Sequence, residues 1–184
     1  MLREEALKLL NSKIQTGNLI KHCLAVEASM KELAHYFHES EDQWGLAGLL
    51  HDIDYEETKE KPAEHSLKGA RFLESLGLEK DITEAIKTHN EAHNLKPESL
   101  MAKSLFCVDP LTGLIVAATL VLPSKKINDL TVENIINRFK EKGFAQGAKR
   151  EVIKQCESLL HLSLEEFSAI VLRGMQKIAK DLGL

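Results

Sequence analysis

The sequence has little of what would indicate a secreted, disulfide-bonded or membrane-spanning protein. Its 184 residues include three cysteines at irregular spacing, which cannot form the framework of a small disulfide-rich domain. The first five residues, Met1 to Glu5, lack the apolar core of a signal peptide. The longest apolar run, residues 114–122, has about half of the roughly 20 residues that a membrane-spanning helix needs. These absences predict a soluble, cytoplasmic protein without a membrane partner.

A strong excess of charge of either sign is also absent. The formal net charge is -4, which gives no general reason to expect a nucleic acid as partner, so no specific nucleic-acid binding is expected. A hydrophobic share of 43% with 28% charged residues is typical of globular proteins. The length predicts a single domain over residues 1–184, with a core over about 18–122 and a helical C-terminal extension over about 123–184. The oligomeric state is not predicted.

Strand signals are almost absent, whereas apolar residues recur at helical spacing along nearly the whole chain. Further helices are expected after Pro97, with Pro110 interrupting or restarting one and Pro123 closing it, and three shorter helices follow. Ser40 is predicted to cap the helix after it. The fold class is therefore predicted to be all-α. The predicted N-terminal helices cover about residues 3–13, 18–38, 63–76 and 79–93.

An apolar helix that ends in His51-Asp52 is the central feature of this pattern. Residues 46–50 place apolar side chains on more than one side of the helix, which predicts that the helix is buried. A buried carboxylate needs a partner that compensates its charge. A metal ion is one such partner, and an arginine or lysine is another.

Six residues of metal-ligand type fall on or beside the inner faces of predicted helices. Imidazole and carboxylate groups suit divalent first-row metals, and no CxxC pattern indicates a structural zinc site. A single histidine is more often a structural core residue, but burying six such groups unpaired would cost a few kcal/mol each. On spacing alone, a shared metal ion and separate structural roles remain alternatives. The six residues are His22, His51, Asp52, His65, His89 and Asp109.

The order of these residues resembles the HD-domain superfamily of metal-dependent phosphohydrolases. The resemblance covers about residues 18–120 and implies an HD-domain-like helical bundle. It implies that His22, His51, Asp52 and Asp109 are the core metal ligands, with Asp52 as the bridging carboxylate. One or two divalent ions are implied, with Mn, Fe, Co, Mg, Ni and Zn as candidates.

Two further segments, residues 64–70 and 88–91, resemble the additional histidine segments of members that have a binuclear centre. This resemblance implies that His65 and His89 complete a second metal site. Asp54 stands where the family often has glycine, and Asn90 stands where binuclear relatives have a second histidine. His93 is an alternative ligand, and Cys107 is a possible neighbour of the site.

The implied activity is phosphohydrolysis by metal-activated water, with a small phosphorylated molecule, for example a nucleotide, as substrate. Asp52 would act with the metal, Asp54 and Glu56 are candidate acid/base or ligand-orienting groups, and Lys68 is the candidate cation for the phosphate. For Asp54, Glu56 and Lys68 a plain solvated surface is the alternative. The alternative functions are a di-iron oxygenase on the same fold and a non-catalytic nucleotide- or ligand-sensing module. The basic residues Lys125, Lys126, Lys140, Lys142, Lys149 and Arg150 either attract a phosphorylated ligand or form a mixed helix surface.

Overall fold

The helical periodicity of the chain is present in the structure as twelve α-helices and two short 3₁₀-helices. The computed structural model describes residues 1–184 and contains no strand, so the predicted all-α class is confirmed. The 3₁₀-helices cover Glu91–His93 and Ile127–Asp129. The α-helices are α1 (Arg3–Lys13), α2 (Gly17–Phe37), α3 (Glu41–Leu50), α4 (Tyr55–Thr58), α5 (Leu67–Ser75), α6 (Lys80–Thr88), α7 (Leu100–Leu120), α8 (Val132–Lys140), α9 (Arg150–Ile153), α10 (Cys156–Leu159), α11 (Leu164–Lys177) and α12 (Ala179–Leu182).

Helix α2 lies at the centre of the bundle and packs against α3, α7 and α11. Its stripe of Cys23, Val26, Met30 and Leu33, spaced three and four residues apart, is fully buried. Helix α7 in turn packs against α6, α8 and α9. One continuous apolar core extends from α1 to α12, so the C-terminal helices pack onto the same core as the N-terminal ones.

Helix α2 approaches its neighbours so closely that two glycines are required at the contacts. A Cβ on Gly48 of α3 would lie 2.9 Å from the Cα of Glu27. A Cβ on Gly174 of α11 would lie 2.6 Å from the carbonyl oxygen of Ala28. The first of these contacts sets the distance between the metal-ligand candidates on α2 and those that follow α3.

Pro110 lies inside α7 and does not interrupt it, so that prediction was wrong. Proline has no N–H to donate to the carbonyl of Phe106, one turn earlier, and normally disrupts a helix at this point. The tight packing of α7 between α2 and α6 holds the helix together across the missing bond. The helix ends at Leu120, before Pro123 is reached.

Helix α7 is also long and apolar enough to cross a membrane by length and composition alone. However, 61% of its most apolar 18-residue stretch is buried inside the fold. The core helix of a folded domain satisfies the same criteria of length and composition. The packing of α7 on α2 and α6 identifies it as such a helix.

Two predicted helices are shorter than their apolar pattern suggested. Helix α5 begins at Leu67 and not near residue 63, because Ser66 takes a positive φ of 68° and its hydroxyl donates to the carbonyl of Lys87 at 2.9 Å. Helix α6 ends at Thr88, because the extended Asn90 caps a separate 3₁₀ turn by accepting from the amide of Ala92. The Ser40 cap is confirmed, since its hydroxyl accepts from the amide of Gln43.

The C-terminal part contains five short α-helices, where three were predicted. A loop over residues 141–149 separates α8 from α9, and the guanidinium group of Arg150 organises it. This group donates to the carbonyl oxygens of Ala145 and Ala148 at 2.7 Å each, and also to that of Phe144. These bonds hold the loop against the bundle next to the candidate site.

Candidate metal centre

The fold brings together all six residues of metal-ligand type. They come from separate elements, and tertiary packing alone makes them neighbours. His22 is on α2, His51 and Asp52 follow α3, His65 lies in the turn before α5, His89 follows α6, and Asp109 lies within α7.

The first group of ligand atoms surrounds the Nε2 atoms of His22 and His51, which are 3.2 Å apart. Asp109 Oδ1 lies 2.9 Å from Nε2 of His22 and 3.6 Å from Nε2 of His51. Asp52 Oδ2 lies 3.5 Å from Nε2 of His51 and 3.7 Å from Nε2 of His22. Two imidazoles and two carboxylates therefore converge on one point.

The second group is formed by the other oxygen of Asp52. Its Oδ1 lies 3.3 Å from Nε2 of His65 and 3.6 Å from Nε2 of His89. The two carboxylate oxygens of Asp52 thus face two different sets of histidines. Each of these oxygens would therefore be available to a different ion if two were bound.

In each of the four histidines, Nδ1 faces a hydrogen-bond acceptor, and Nε2 is left free to face the cluster. The Nδ1 groups of His51 and His89 donate to the carbonyl oxygens of Gly48 and Ile86, at 2.8 and 2.6 Å. The Nδ1 group of His65 donates to Asp54 Oδ1 at 2.9 Å. Such outer bonds fix the tautomer in which Nε2 carries the lone pair that binds a metal.

The fourth histidine is oriented by a threonine. Thr112 gives its hydroxyl proton to the carbonyl of Asp109 at 2.9 Å, so its oxygen is free to accept from Nδ1 of His22 at 3.3 Å. Thr112 lies three residues after Asp109 on α7 and therefore links His22 to the helix that carries Asp109. Sequence reasoning missed this residue, although its polar side chain on the inner face of an apolar helix was a detectable signal.

The electrostatics show that the cluster strongly favours positive charge. Burial opposes the charge on His51, but Asp52 and Asp109 outweigh it and raise the pKa of His51 to about 9. Burial likewise opposes the charge on His65, and Asp52 with Asp54 raises the pKa of His65 to about 10. Burial alone would raise the pKa values of Asp52 and Asp109, yet the surrounding histidines hold both below the usual range. The two carboxylates, of which Asp52 is buried and Asp109 is 28% exposed at the cavity, therefore favour a cation beside them.

The donor set fits divalent metal ions. Ligand atoms at about 2.0–2.2 Å from one ion, with angles of about 90–110° between them, stand about 2.8–3.6 Å apart. The separations in the first group lie between 2.9 and 3.6 Å, apart from that of Asp52 Oδ2 from His22 Nε2, which is 3.7 Å. Two triads, His22–His51–Asp109 and His51–Asp52–His89, each have ligand atoms that all lie within 4.8 Å of one another.

Asp54 is buried and lies behind His65. Its Oδ1 accepts from His65, and its Oδ2 accepts from the amide of Gly69 at 2.7 Å. Of the roles considered for Asp54, the geometry matches that of a group that orients a ligand histidine. Its place in the sequence, where the family often has glycine, is explained by this contact.

Glu56 and Lys68 are not brought to the cluster. Glu56 accepts from the backbone amides of Gln15 and Thr16 and so secures the segment before α2. Lys68 forms an ion pair with Glu57 at 2.7 Å, and its side chain is 48% exposed. Lys68 therefore belongs to the charged surface, and Glu56 is engaged by the segment before α2.

A cavity of about 510 Å³ opens from the cluster to the surface. His22, His65, His89 and Asp109 line its inner end, with Tyr55 and Phe106 among its aromatic and apolar walls. Ala145, Gly147, Ala148 and Lys149, from the loop organised by Arg150, form the opposite wall. From that wall Lys149 reaches across to form an ion pair with Glu91, two residues after His89.

His93 and Cys107 occupy supporting positions. His93 Nε2 lies 2.6 Å from the carbonyl of His65, so it braces the turn that carries His65 and does not face the cluster. Cys107 is buried in the core, where burial, with a smaller contribution from Cys156, raises the pKa of its thiol. It does not line the cavity.

The fold and this donor set define an all-α domain with a histidine–aspartate cluster that can hold divalent ions. The family model described as "HD domain" matches residues 19–172. The chain therefore belongs to the HD domain family, the metal-dependent phosphohydrolase superfamily that its sequence resembles. The match continues well past residue 120, into α11.

The curated relatives that match the chain carry the name ribonuclease Y. The chain is 30% identical over 140 residues to the protein of Lawsonia intracellularis, a match that covers 74% of this chain and 27% of that protein. It is 30% identical over 160 residues to the protein of Oleidesulfovibrio alaskensis, covering 82% and 30%. It is 31% identical over 140 residues to the protein of Nitratidesulfovibrio vulgaris strain DP4, covering 73% and 26%. The chain thus spans less than a third of the length of these relatives. No solved structure matches it.

Proposed function

We propose that this protein is a metal-dependent phosphohydrolase that cleaves a phosphoester bond in a small phosphorylated molecule, for which a nucleotide is one candidate. The observation that carries the proposal is the division of the two Asp52 oxygens between two sets of histidine Nε2 atoms. A carboxylate of this kind suits a centre with two metal ions, and two-metal centres act on phosphoesters.

The roles of the chain's own residues follow from their contacts. His22, His51, Asp52 and Asp109 would hold one ion, and Asp52, His65 and His89 a second. A bound ion would supply Lewis acidity, which lowers the pKa of water to about 7 and stabilises charge on a phosphoryl group. Asp54 and Thr112 hold the Nδ1 protons of His65 and His22, which keeps the Nε2 lone pairs directed at the site.

The cavity supports a small substrate with an anionic end. Its volume of about 510 Å³ lies within the range of small-molecule sites, about 300–1,000 Å³. Lys149 is the cation at its rim, and its present partner Glu91 could be exchanged for a substrate phosphate. We therefore assign to Lys149 the role that Lys68 was expected to play.

Metal analysis of the purified protein, followed by a panel of phosphomonoesters and nucleotides with Mn, Co, Mg, Ni, Zn or Fe, tests this proposal. Phosphate release is expected with at least one ion, and Asp52→Asn should abolish both metal binding and release. Asp42→Asn, which changes an exposed carboxylate in the first turn of α3, is the matched control and should behave as the wild type. A metal-loaded protein that hydrolyses nothing in the panel would contradict the proposal.

Hydrolysis of RNA is a second candidate, favoured by one observation. The matching curated relatives are named ribonuclease Y, and 73–82% of this chain aligns with them. The net charge of -4 and the presence of a single lysine at the rim of the cavity do not favour the binding of a long polyanion. A short single-stranded RNA in the panel distinguishes the two candidates, since cleavage within its chain would favour the second.

The di-iron oxygenase and the non-catalytic sensing module remain as alternatives that the same measurements separate. Bound iron with oxygen-dependent turnover would favour the oxygenase. Tight nucleotide binding without turnover, in a protein with a full complement of metal, would favour the sensing module. Each of the four histidines has an outer hydrogen-bond partner at Nδ1, and Asp52 and Asp109 complete the set of ligand residues, which favours a working site.

A further inference from the structure

Gly113 is a glycine inside a long helix with no structural reason to be one. Glycine in a helix interior is destabilising relative to alanine. The glycines at positions 48 and 174 are required by close backbone contacts, and Gly69 by its contact with Asp54. A Cβ on Gly113, by contrast, would meet nothing within 4 Å, and its φ is not positive. The absence of a side chain at position 113 therefore leaves space open and is not required by packing.

That space is where two cavities meet. His22 and Gly113 line both the cavity at the ligand cluster and a second cavity of about 370 Å³. Gly113 lies one helical turn after Asp109, so it sits directly beside the cluster on α7. A molecule whose phosphate reaches the ligand cluster can therefore extend over Gly113 into the second cavity.

The second cavity has an apolar floor with polar groups at its edge. Ala25, Val116, Leu120 and Leu182 supply apolar surface. Asn18 and Lys21, on the first turns of α2, supply an amide and an ammonium group. Leu120 is 49% exposed, so the cavity presents an apolar side chain that no part of the chain covers. These walls suit an organic group with an apolar face and suit a free phosphate poorly.

We infer that the second cavity is a subsite for the organic group of the substrate, and that Gly113 is the residue that keeps the passage to it open. The inference rests on the proposed function, because it takes the ligand cluster as the place where the phosphate binds. It predicts that the substrate carries an organic group with an apolar face, attached to the phosphate. A larger side chain at position 113 would exclude that group and leave the six ligand residues of the cluster unchanged.

Binding of two non-hydrolysable phosphonates to the metal-loaded protein tests this inference without requiring turnover. Phenylphosphonate should bind at least about tenfold more tightly than methylphosphonate, the order expected for filling an apolar pocket. In Gly113→Leu this ratio should fall to near one, because phenylphosphonate loses more affinity than methylphosphonate does. Gly113→Ala should give an intermediate ratio and a higher melting temperature.

Gly143→Leu is the matched control, because Gly143 also has open space around its Cβ position and lines neither cavity. Its ratio should equal that of the wild type. A wild-type ratio near one overturns the inference, as does an unchanged ratio in Gly113→Leu. Loss of folding or of metal in both Gly113 variants overturns it too, because it would show that the space is not open. A protein that shows the expected ratios but hydrolyses nothing would refute the proposed function and leave the subsite standing.

Discussion

The amide of Gly69 donates to the carboxylate of Asp54 at 2.7 Å, and the absence of a side chain at residue 69 lets the carboxylate approach without crowding. A Cβ there would lie 3.1 Å from Asp54 Cγ and 3.2 Å from Oδ2. The same carboxylate holds the Nδ1 proton of His65. The start of α5 therefore controls the orientation of a metal-ligand candidate through a single buried aspartate.

Replacing this carboxylate by an amide should damage the second metal site specifically. In Asp54→Asn the amide oxygen would accept from Gly69, and its NH₂ group would then face Nδ1 of His65. That contact favours the tautomer with the proton on Nε2, the atom that must bind metal. Metal affinity is expected to fall by about 10–100-fold, as for other partners of metal-bound histidines. Titration of the metal-free protein with Mn or Zn by calorimetry measures the change.

Glu57→Gln is the control, since Glu57 is an exposed carboxylate three residues further on that pairs with Lys13 and Lys68. Exposed pairs of this kind contribute about 0–1 kcal/mol, so metal affinity should be unchanged. Equal metal affinity in Asp54→Asn and the wild type would show that Asp54 does not orient a ligand.

The residues of the cluster could be nominated from the sequence, but their surroundings could not. His22, His51 and Asp109 fall on or beside apolar helix faces whose spacing is visible in the chain, and burial of such faces brings them inward. His65 was placed on a helix, whereas it lies in a turn. That turn depends on a bond between Ser66 and the carbonyl of Lys87, and such a long-range contact leaves no local pattern.

The lysines near the cavity show more clearly what the sequence alone cannot predict. Lys68 follows His65 by three residues and was the natural candidate for a phosphate contact, yet it pairs with Glu57 on the surface. Lys149 reaches the cavity because Arg150 folds the preceding loop around its guanidinium group. Six basic residues in this region looked alike in the sequence, and only the tertiary structure distinguishes them.

This distinction predicts opposite outcomes for two lysine substitutions. Lys149→Ala should weaken binding of inorganic phosphate to the metal-loaded protein by up to about tenfold. A hydrogen bond to a charged group contributes roughly 1.5–3 kcal/mol, and solvent screening reduces this for a side chain that is 56% exposed. Lys68→Ala should leave phosphate binding unchanged. Competition by phosphate against a chromogenic phosphoester gives both affinities.

A third variant separates direct contact from loss of the ion pair across the cavity. Glu91→Gln removes the partner of Lys149 and leaves the lysine free for an anion, so phosphate should bind more tightly than in the wild type. If Glu91→Gln and Lys149→Ala weaken binding equally, the ion pair itself matters and Lys149 does not contact the substrate.

Metal affinity should rise steeply with pH. Metals bind neutral imidazole, whereas in the metal-free protein the raised pKa values of His51 and His65, about 9 and about 10, keep both rings protonated at pH 7. Between pH 6 and 8, affinity should increase by about tenfold per pH unit for each proton displaced. Calorimetry in buffers of different ionisation enthalpy would count the released protons, and a pH-independent affinity would contradict the prediction.

The same groups set the pH dependence of stability in the metal-free protein. The pKa values of His51 and His65 are raised above the ordinary value of 6.5, so their stabilising contribution is fully present below about pH 6.5. It is lost as the pH rises through about 9 to 10. The melting temperature of the metal-free protein should therefore fall between pH 7 and 10. The metal-loaded protein should show a smaller decrease, because the ions replace the protons.

Gly48→Ala tests how strongly the contact between α2 and α3 determines the site. The added Cβ would lie 2.9 Å from the backbone nitrogen and Cα of Glu27 and 2.9 Å from the carbonyl carbon of Val26. These are backbone atoms that cannot move as a flexible side chain does, so the two helices must separate. Overpacking of this kind typically costs about 1–3 kcal/mol, which exceeds the gain in helix propensity of about 1 kcal/mol over most of that range. Melting temperature by calorimetry should fall by about 2–4 °C per kcal/mol lost.

Separating the two helices should also displace the metal ligands that they carry. His22 is on α2 and His51 follows α3, and their Nε2 atoms are only 3.2 Å apart. Moving the helices apart would widen this distance, so metal affinity should fall together with stability. Gly143→Ala, with open space at its Cβ position, should change neither quantity. Lower stability with full metal affinity in Gly48→Ala would show that the loop after α3, and not the helix contact, positions His51.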